Sequence, residues 1–186
     1  MQKCFQEDFD FGKIPRTVKK GAEFENEIAS IKEVLFDHYV RLINIFDYYS
    51  GISSYPLFSW LDVTSFGGKC KFFEPPGKLT NTDLDLIITA TCVSNNQYVN
   101  SQLTDLTRYE FLEMIVRVAD DKYKKTKIVK TIAEGISKVI EELIYPHAVS
   151  MDGENFRRYH CYAVKVNEIL KKNESQIKKV YASFCH

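Results

Sequence analysis

Apolar residues recur every three or four positions through most of the chain, which is the spacing of one face of an α-helix. The longest such series runs from Phe24 to Phe46, with steps of 4, 3, 4, 4, 3 and 4 residues. Gly51 and Pro56 then end this first long helix. No segment shows the strict alternation of apolar and polar residues that is typical of a strand. The sequence therefore predicts an all-α fold of about seven helices.

Helix-capping signals place several of the later helices. Thr82 is followed by two aspartates within three residues, which predicts a helix N-terminus because the helix dipole favours acids there. Thr107 and Glu110 have the spacing of a capping box, so the next helix should start at this point. A further helix over 128–143 should stop before Pro146.

The C-terminal part of the chain adds two helical segments. The pattern predicts a polar loop over 94–104, a helix over 156–170, and a last amphipathic helix capped by Asn173. This last helix has no glycine stop and ends on His186. It is typical of the entering helix of a third helix–loop–helix. Either the chain is a fragment of a longer protein, or this helix completes its packing against a partner.

The same patterns divide the chain into three parts. Residues 1–22 have no clean period but carry apolar side chains, so we expect an extended N-terminal arm that docks on its own domain or on another chain. Residues 23–123 should form a lobe of paired helix–loop–helix units. Residues 124–186 should form a C-terminal helical segment.

Composition and charge exclude several classes of protein. The 186 residues contain 25 basic and 25 acidic side chains, so a global nucleic-acid-binding field is not expected. The longest apolar stretches fall far short of the ~20 residues that a membrane span requires. The N-terminus lacks the order of charged and apolar residues of a signal peptide. Five widely spaced cysteines favour reduced, buried thiols in a cytosolic protein.

Two segments share the layout of a helix–loop–helix unit. Each has a hydrophobe directly before a small hydroxyl residue that starts the exit helix, namely Phe58 before Ser59 and Leu106 before Thr107. An acid follows the hydroxyl by three residues in both units. An EF-hand has this arrangement, with the hydrophobe in a short contact between loops and the acid closing the loop.

The metal chemistry of an EF-hand does not accompany this layout. The calcium candidates are Asp47, Asp62 and Glu110. However, Asp47 and Asp62 bound a segment of 16 residues rather than the 12 of a calcium loop. Thr91 to Glu110 spans 20 residues and supplies little charge. We therefore expect no cofactor and no metal site. The alternative is a calcium-responsive regulator that uses these three acids together with backbone carbonyls.

Three blocks carry a resemblance to a known family. They are residues 39–60, with Ile45-Phe46-Asp47-Tyr48-Tyr49-Ser50 and Phe58-Ser59-Trp60, residues 82–87, and residues 106–123, with Leu106-Thr107-Arg108-Tyr109-Glu110-Phe111. On these blocks the chain resembles divergent EF-hand-like proteins of cilia and flagella. The resemblance implies calmodulin-like helix–loop–helix pairs that have lost their metal ligands. It also implies a structural or regulatory component of the axoneme, hence a cytoplasmic, cytoskeletal location.

The equivalent positions of Phe58 and Leu106 lead to a specific structural prediction. A lone helix–loop–helix unit leaves its apolar face exposed, so the two units should pair face to face. We expect Phe58 beside Leu106 in a short two-strand contact. The shared core should include Phe46, Trp60, Phe111 and Ile115.

Two lysine clusters are the main charge feature. One lies within nine residues that contain no acid, and the other lies near the C-terminus. They comprise Lys122, Lys124, Lys125, Lys127 and Lys130, and then Lys171 and Lys172 with Lys178 and Lys179. Each cluster is either a solvated helix surface or a docking patch for an acidic protein surface, for which tubulin is a candidate. The expected partners are other proteins of a large assembly, and neither nucleic acid nor a membrane.

Catalytic signals are weak throughout the sequence. The four histidines, at positions 38, 147, 160 and 186, are scattered. Cys92 or Cys161 could act as a nucleophile only with a neighbouring base, and His160-Cys161 with Cys185-His186 would chelate zinc poorly. We therefore expect no enzyme activity. The sequence favours a non-catalytic structural or adaptor protein of a cytoskeletal assembly, with a small cysteine or histidine enzyme as the remaining alternative.

Overall fold

The described residues form an all-α protein, as predicted. A computed structural model describes residues 1–18, 20–77, 79–94, 105–150 and 163–184, with the side chains of 93 and 94 excepted. Its helices are α1 (Gln2–Phe11), α2 (Ile14–Thr17), α3 (Phe24–Gly51), α4 (Trp60–Lys69), α5 (Asn81–Ser94), α6 (Arg108–Ala119), α7 (Ile132–Lys138), α8 (Tyr145–His147), α9 (Val164–Lys172) and α10 (Glu174–Phe184). Helix α6 continues into a π-helical segment, Asp120–Lys124, and α7 into another, Val139–Ile144. Contacts divide the chain into two units, Met1–Ser150 and Met151–His186.

The first long helix, α3, follows the predicted apolar period. Its 28 residues bury one stripe that includes Leu35, Tyr39 and Leu42, and it ends at Gly51 as expected. Phe24 and Ile28, at the start of the predicted series, are half-buried and pack against the edge of the core. A helix this long with one buried stripe is stabilised mainly by the surface it covers.

Helix α6 is the centre of the Met1–Ser150 unit. Almost every one of its residues from Glu110 to Ala119 is buried, because α1, α2, α3, α5 and α7 pack around it. Its predicted capping box is confirmed. The backbone N–H of Thr107 donates to Glu110 Oε2 at 2.8 Å, and the Thr107 hydroxyl donates to the same oxygen. This cap satisfies backbone groups that burial of the helix end would otherwise leave without partners.

The predicted contact between Phe58 and Leu106 is confirmed. The two residues form an isolated antiparallel bridge, each backbone N–H donating to the other's carbonyl at 2.9 Å. Trp60 was predicted to lie in the shared core, but its side chain is at the surface and 37% exposed. Its Nε1 donates a hydrogen bond to Asp85 Oδ1 at 2.9 Å. The indole thus binds a polar partner outside the core. Phe58 is instead the fully buried ring of this segment.

The N-terminal residues are helical rather than extended. Phe5 and Phe9 lie one helical turn apart and are buried with Asp8 on the inner face of α1. Pro15 stands in the first turn of the short α2, where its missing N–H is tolerated. The predicted docking therefore occurs, but through two short helices instead of an extended arm.

The predicted boundary at residue 123 also differs from the observed one. Helix α7 packs against both α3 and α6, and it buries Ile132 and Ile136 in the same core. The helix begins at Ile132 rather than at Ile128 because Thr131 and Glu134 form a capping box. The first unit consequently reaches Ser150.

Smaller shifts affect the remaining predicted helix starts. Helix α5 begins at Asn81, one residue before the cap predicted at Thr82, since Thr80 exchanges hydrogen bonds with Asp83. Most of the loop predicted over 94–104, and the first part of the helix predicted over 156–170, lie outside the described residues. No helix in the described part of the chain combines the length and the apolarity needed to span a bilayer.

Candidate functional site

An exposed apolar stripe along α9 and α10 is the most pronounced candidate surface. We call these residues the C-terminal stripe: Val166, Leu170, Ile177, Val180 and Phe184. Their side chains are between 40% and 84% exposed. Within each helix they are three or four residues apart, so the stripe residues of one helix share one face. A groove of about 720 Å³ follows the α10 part of this face and is lined by Ile177, Val180, Tyr181 and Phe184 with Asn173 and Gln176.

Asn173 joins the two helices that carry the C-terminal stripe. Its backbone N–H donates to Ile169 O at 3.1 Å, and its side-chain amide donates to the same carbonyl at 2.9 Å. Its own carbonyl accepts the N–H of Ile177 at 3.0 Å. Asn173 thus ends α9 and starts α10, and its φ of −106° and ψ of 12° depart from the helical values on either side.

Basic side chains accompany this stripe. Residues 163–184 contain five lysines and two glutamates. Lys171 and Lys172, which the sequence predicted as partner-binding residues, are exposed at the end of α9. Lys178 forms an ion pair with Glu174 at 2.7 Å, one turn away on the same helix. The surface that surrounds the stripe is therefore positively charged.

Lys122 does not belong to a surface patch, although the sequence analysis placed it there. Its side chain is fully buried, and Nζ donates to Phe72 O at 2.9 Å and to Glu74 O at 2.5 Å. Burial lowers the pKa of its ammonium group. The segment around Gly77 covers it closely. The lysine thus holds the 72–77 segment on the core and is not available to a partner.

The other lysines of this cluster differ in how far they are available to a partner. Lys124 lies 3.7 Å from Glu27, and Lys125 forms ion pairs with Asp120 and Asp121. The hydrogen bond that Lys125 donates to Asp121 is the largest cause of the raised pKa of Lys125. Lys127 and Lys130 are exposed. Much of the positive charge predicted here is therefore compensated by neighbouring carboxylates.

The three calcium candidates have other roles in the structure. Asp62 Oδ2 accepts hydrogen bonds at 2.6 Å from the hydroxyls of Ser53 and Ser59, which lower the pKa of its carboxyl. Glu110 caps α6. Burial raises the pKa of the Asp47 carboxyl, which is the opposite of the effect expected for a cation-binding acid. Within the described ranges, no group of three His, Cys, Asp or Glu residues could hold a metal ion.

The two buried cysteines and the two described histidines have positions typical of framework residues, whereas Cys4 is exposed. Burial raises the pKa of Cys70 and that of Cys92 to about 12, so both remain thiols at neutral pH. His38 Nδ1 lies 2.8 Å from the Tyr145 hydroxyl, and His147 Nδ1 lies 2.8 Å from Leu143 O. The proposed zinc ligands at positions 160, 161, 185 and 186 lie outside the described residues.

The two buried thiols should react slowly in the native protein. We expect a thiol reagent at pH 8 to label Cys70 and Cys92 at least ~100-fold more slowly than in the urea-unfolded chain, because few thiolates form and the side chains are covered. Labelling of individual peptides, followed by mass spectrometry, measures both rates. If either cysteine in the native protein is labelled at nearly its rate in the unfolded chain, that cysteine is an activated thiol. This result would favour the enzyme alternative.

Two ion pairs with buried carboxylates in the Met1–Ser150 unit were not predicted from the sequence. Arg108 binds both carboxylate oxygens of the buried Asp8, with Nε–Oδ2 at 2.7 Å and Nη2–Oδ1 at 2.8 Å, and the Tyr39 hydroxyl also donates to Asp8. Glu113 is fully buried, accepts the N–H of Lys13 at 3.0 Å and binds Arg117. Only the unusual position of acids on apolar helix faces could have indicated them. These contacts hold the fold together and show no binding site. The C-terminal stripe therefore remains the candidate site.

Comparisons with known proteins found no match. The chain matches no family model, no curated protein and no solved structure.

Proposed function

We propose that this chain is a non-catalytic adaptor that binds other proteins of a cytoskeletal assembly through the C-terminal stripe. The observation that carries the proposal is the exposed apolar stripe of α9 and α10, two helices that also carry five lysines. Large exposed apolar surfaces with polar surroundings are typical of protein interfaces.

The chemistry of the Met1–Ser150 unit supports a framework role. Its buried charged groups Asp8, Glu113 and Lys122 each make hydrogen bonds that join segments distant in the sequence. Cys70 and Cys92 carry raised thiol pKa values, which disfavour nucleophilic catalysis. These groups hold a rigid body from which a binding segment can be presented.

The assembly that we favour is the ciliary axoneme. This part of the proposal rests on the resemblance of three sequence blocks to divergent EF-hand-like proteins of cilia and flagella. The bridge between Phe58 and Leu106 supports it, because paired EF-hand loops make such a contact. The exposed lysines, including Lys171 and Lys172, would complement an acidic lattice such as that of tubulin.

Co-sedimentation tests this proposal directly. The full chain should pellet with microtubules or with an axonemal fraction, and raising the salt from about 0.1 M to about 0.5 M should weaken the association through screening. The double change Lys171→Glu and Lys172→Glu should reduce the bound fraction several-fold. The matched control Lys3→Glu with Lys20→Glu alters two exposed lysines of the other unit and should have little effect.

Two results would contradict the proposal. One is that the variant with both Lys171→Glu and Lys172→Glu pellets to the same extent as the wild-type chain in both preparations. The other is failure of the wild-type chain to bind either preparation at the lower salt concentration.

A further inference from the structure

Ser175 is an exposed hydroxyl residue with lysines on both sides of it in the sequence. It is the second residue of α10. Lys171 and Lys172 lie four and three residues before it, and Lys178 and Lys179 lie three and four residues after it. Among the described residues, no side-chain hydrogen bond involves the Ser175 hydroxyl. The oxygen is therefore open to solvent within a basic segment.

Two other hydroxyl residues close to lysines are engaged in hydrogen bonds. Thr126 stands within the lysine-rich segment 122–130, and its hydroxyl donates to Lys122 O at 2.7 Å. Ser183 follows the lysines of α10, and its hydroxyl donates to Val180 O at 2.6 Å. Transfer of a phosphoryl group to either oxygen would remove a donated hydrogen bond, whereas Ser175 has no such bond to lose. Of these three residues, Ser175 is the most available acceptor.

Helix α10 can open at little cost and present Ser175 in an extended conformation. The helix has eleven residues, and none of them is buried. Isolated helices shorter than ~12–15 residues are marginal in water, so unwinding the first turn requires little free energy. Protein kinases bind an extended segment and select it by the charges beside the acceptor hydroxyl. Lysines three and four residues before Ser175 form the pattern that kinases directed to basic substrates select.

We propose that Ser175 is the phosphorylation site of a serine/threonine kinase that recognises basic substrates, and that the phosphate weakens binding through Lys171 and Lys172. The second half of this inference is regulation of the proposed adaptor function and rests on it. In the reaction, Ser175 Oγ attacks the γ-phosphorus of ATP. The new Oγ–P bond forms while the bond to the β,γ-bridging oxygen breaks, ADP leaves, and the hydroxyl proton passes to the catalytic carboxylate of the kinase.

A phosphate on Ser175 acts by its charge and leaves the C-terminal stripe uncovered. Residues 163–184 contain five lysines and two glutamates, hence a net charge of +3. Phosphoserine adds about −1.5 to −2 at neutral pH, so most of this positive charge is lost. At ~100° per residue, Ser175 lies on the face of α10 opposite Val180 and Phe184. The apolar contact therefore stays possible while the attraction to an acidic surface weakens.

The catalytic domain of protein kinase C, which prefers basic residues around its acceptor, is the probe. With ATP and Mg²⁺ it should phosphorylate the full chain, and peptide mass spectrometry should locate the phosphate on Ser175. The initial rate at Ser175 should exceed the rates at Thr126 and Ser183 at least ~10-fold. Ser175→Ala should remove most of the incorporated phosphate. Casein kinase II, which prefers acidic surroundings, should modify Ser175 at least ~10-fold more slowly.

Replacing the upstream lysines tests what the kinase recognises. Lys171→Glu with Lys172→Glu should lower kcat/KM for Ser175 at least ~10-fold, because the kinase would meet two carboxylates in place of two ammonium groups. Lys3→Glu with Lys20→Glu alters two exposed lysines far from Ser175 in the sequence. This matched control should leave kcat/KM within about twofold of the wild-type value.

Co-sedimentation then measures the effect of the phosphate on binding. At about 0.1 M salt, the chain phosphorylated on Ser175 should pellet with microtubules or an axonemal fraction several-fold less than the same preparation after phosphatase treatment. The difference should fall below about twofold at about 0.5 M salt, because screening weakens the attraction of both forms. Ser175→Ala carried through the same kinase treatment should pellet like the untreated chain.

Three results would overturn the inference. The first is no phosphate on Ser175 although the kinase modifies a basic reference peptide in the same reaction. The second is an unchanged kcat/KM for the variant with Lys171→Glu and Lys172→Glu. The third is equal pelleting of the phosphorylated and the phosphatase-treated chain at the lower salt concentration.

The adaptor proposal fails in a different way. If the unmodified chain pellets but Ser175 is not phosphorylated, the adaptor function stands and the phosphorylation site is rejected. If Ser175 is phosphorylated with the expected dependence on the lysines but the unmodified chain binds neither preparation, the cytoskeletal proposal and its regulation fail. The assignment of Ser175 as a kinase acceptor then stands.

Discussion

Replacing Phe58 by alanine should lower the free energy of unfolding of the chain by about 3–5 kcal/mol, as for other fully buried aromatic residues. Phe58 has no exposed surface, and its ring contacts those of Phe46, Tyr49, Phe66 and Phe111 at centroid distances between 5.6 and 6.4 Å. Its backbone also forms the bridge to Leu106. The alanine variant would leave a cavity among four rings that cannot all move inward.

Trp60→Ala is the matched control for this experiment. Trp60 stands two residues further along, is also aromatic, and is partly exposed with one hydrogen bond to Asp85. Its loss should cost about 1 kcal/mol. Urea unfolding followed by circular dichroism measures both variants without relying on the indole. Equal losses for the two variants would contradict the central position of Phe58.

The parts of the fold that could be predicted depend on short-range patterns. The period from Phe24 to Phe46 predicted α3, and the spacing of Thr107 and Glu110 predicted the start of α6. The Phe58–Leu106 bridge joins distant residues, yet it was predictable because the same local layout occurs twice. In each case the physical cause lies within a few residues of sequence.

Long-range polar contacts account for the main differences between the predicted and the observed fold. Asp8 binds Arg108, which is 100 positions away, so no local pattern indicated that the N-terminal arm would dock as a helix. Lys122 belongs to a lysine-rich segment, but the backbone of 72–77 closes over it. Gly77 has a φ of 93°, and a Cβ there would lie 2.4 Å from Lys122 O. Such a close contact between Gly77 and Lys122 depends on how the folded chain packs, which the sequence does not show.

The candidate site was predictable in part. The amphipathic last helix and the lysines at positions 171 and 172 were identified from the sequence. The cap predicted at Asn173 is confirmed, since α10 begins at the next residue, Glu174. The exposure of the apolar residues of α9 was not predictable, because the same spacing is typical of a helix face that packs on a core.

Replacing Asp8 by alanine should lower the free energy of unfolding by about 2–4 kcal/mol, because it removes one member of a buried hydrogen-bonded group. The buried Tyr39 hydroxyl would lose its acceptor, and Arg108 would lose a bidentate partner. The side chain of Arg108 is nearly half exposed, so water would partly replace the lost carboxylate. Urea unfolding of the full chain measures the change.

A control and a double-mutant cycle identify the source of this loss. Asp10→Ala removes an exposed carboxylate of the same helix, whose side-chain partner is Gln6, and should change stability by less than ~0.5 kcal/mol. Asp8→Ala and Arg108→Ala should be strongly non-additive, with a coupling of at least ~1 kcal/mol, since the two side chains are in direct contact. Additive losses would mean that α1 is held by Phe5 and Phe9 alone. Strong coupling would establish that the charged pair fastens the N-terminal helix to the helix at the centre of the core.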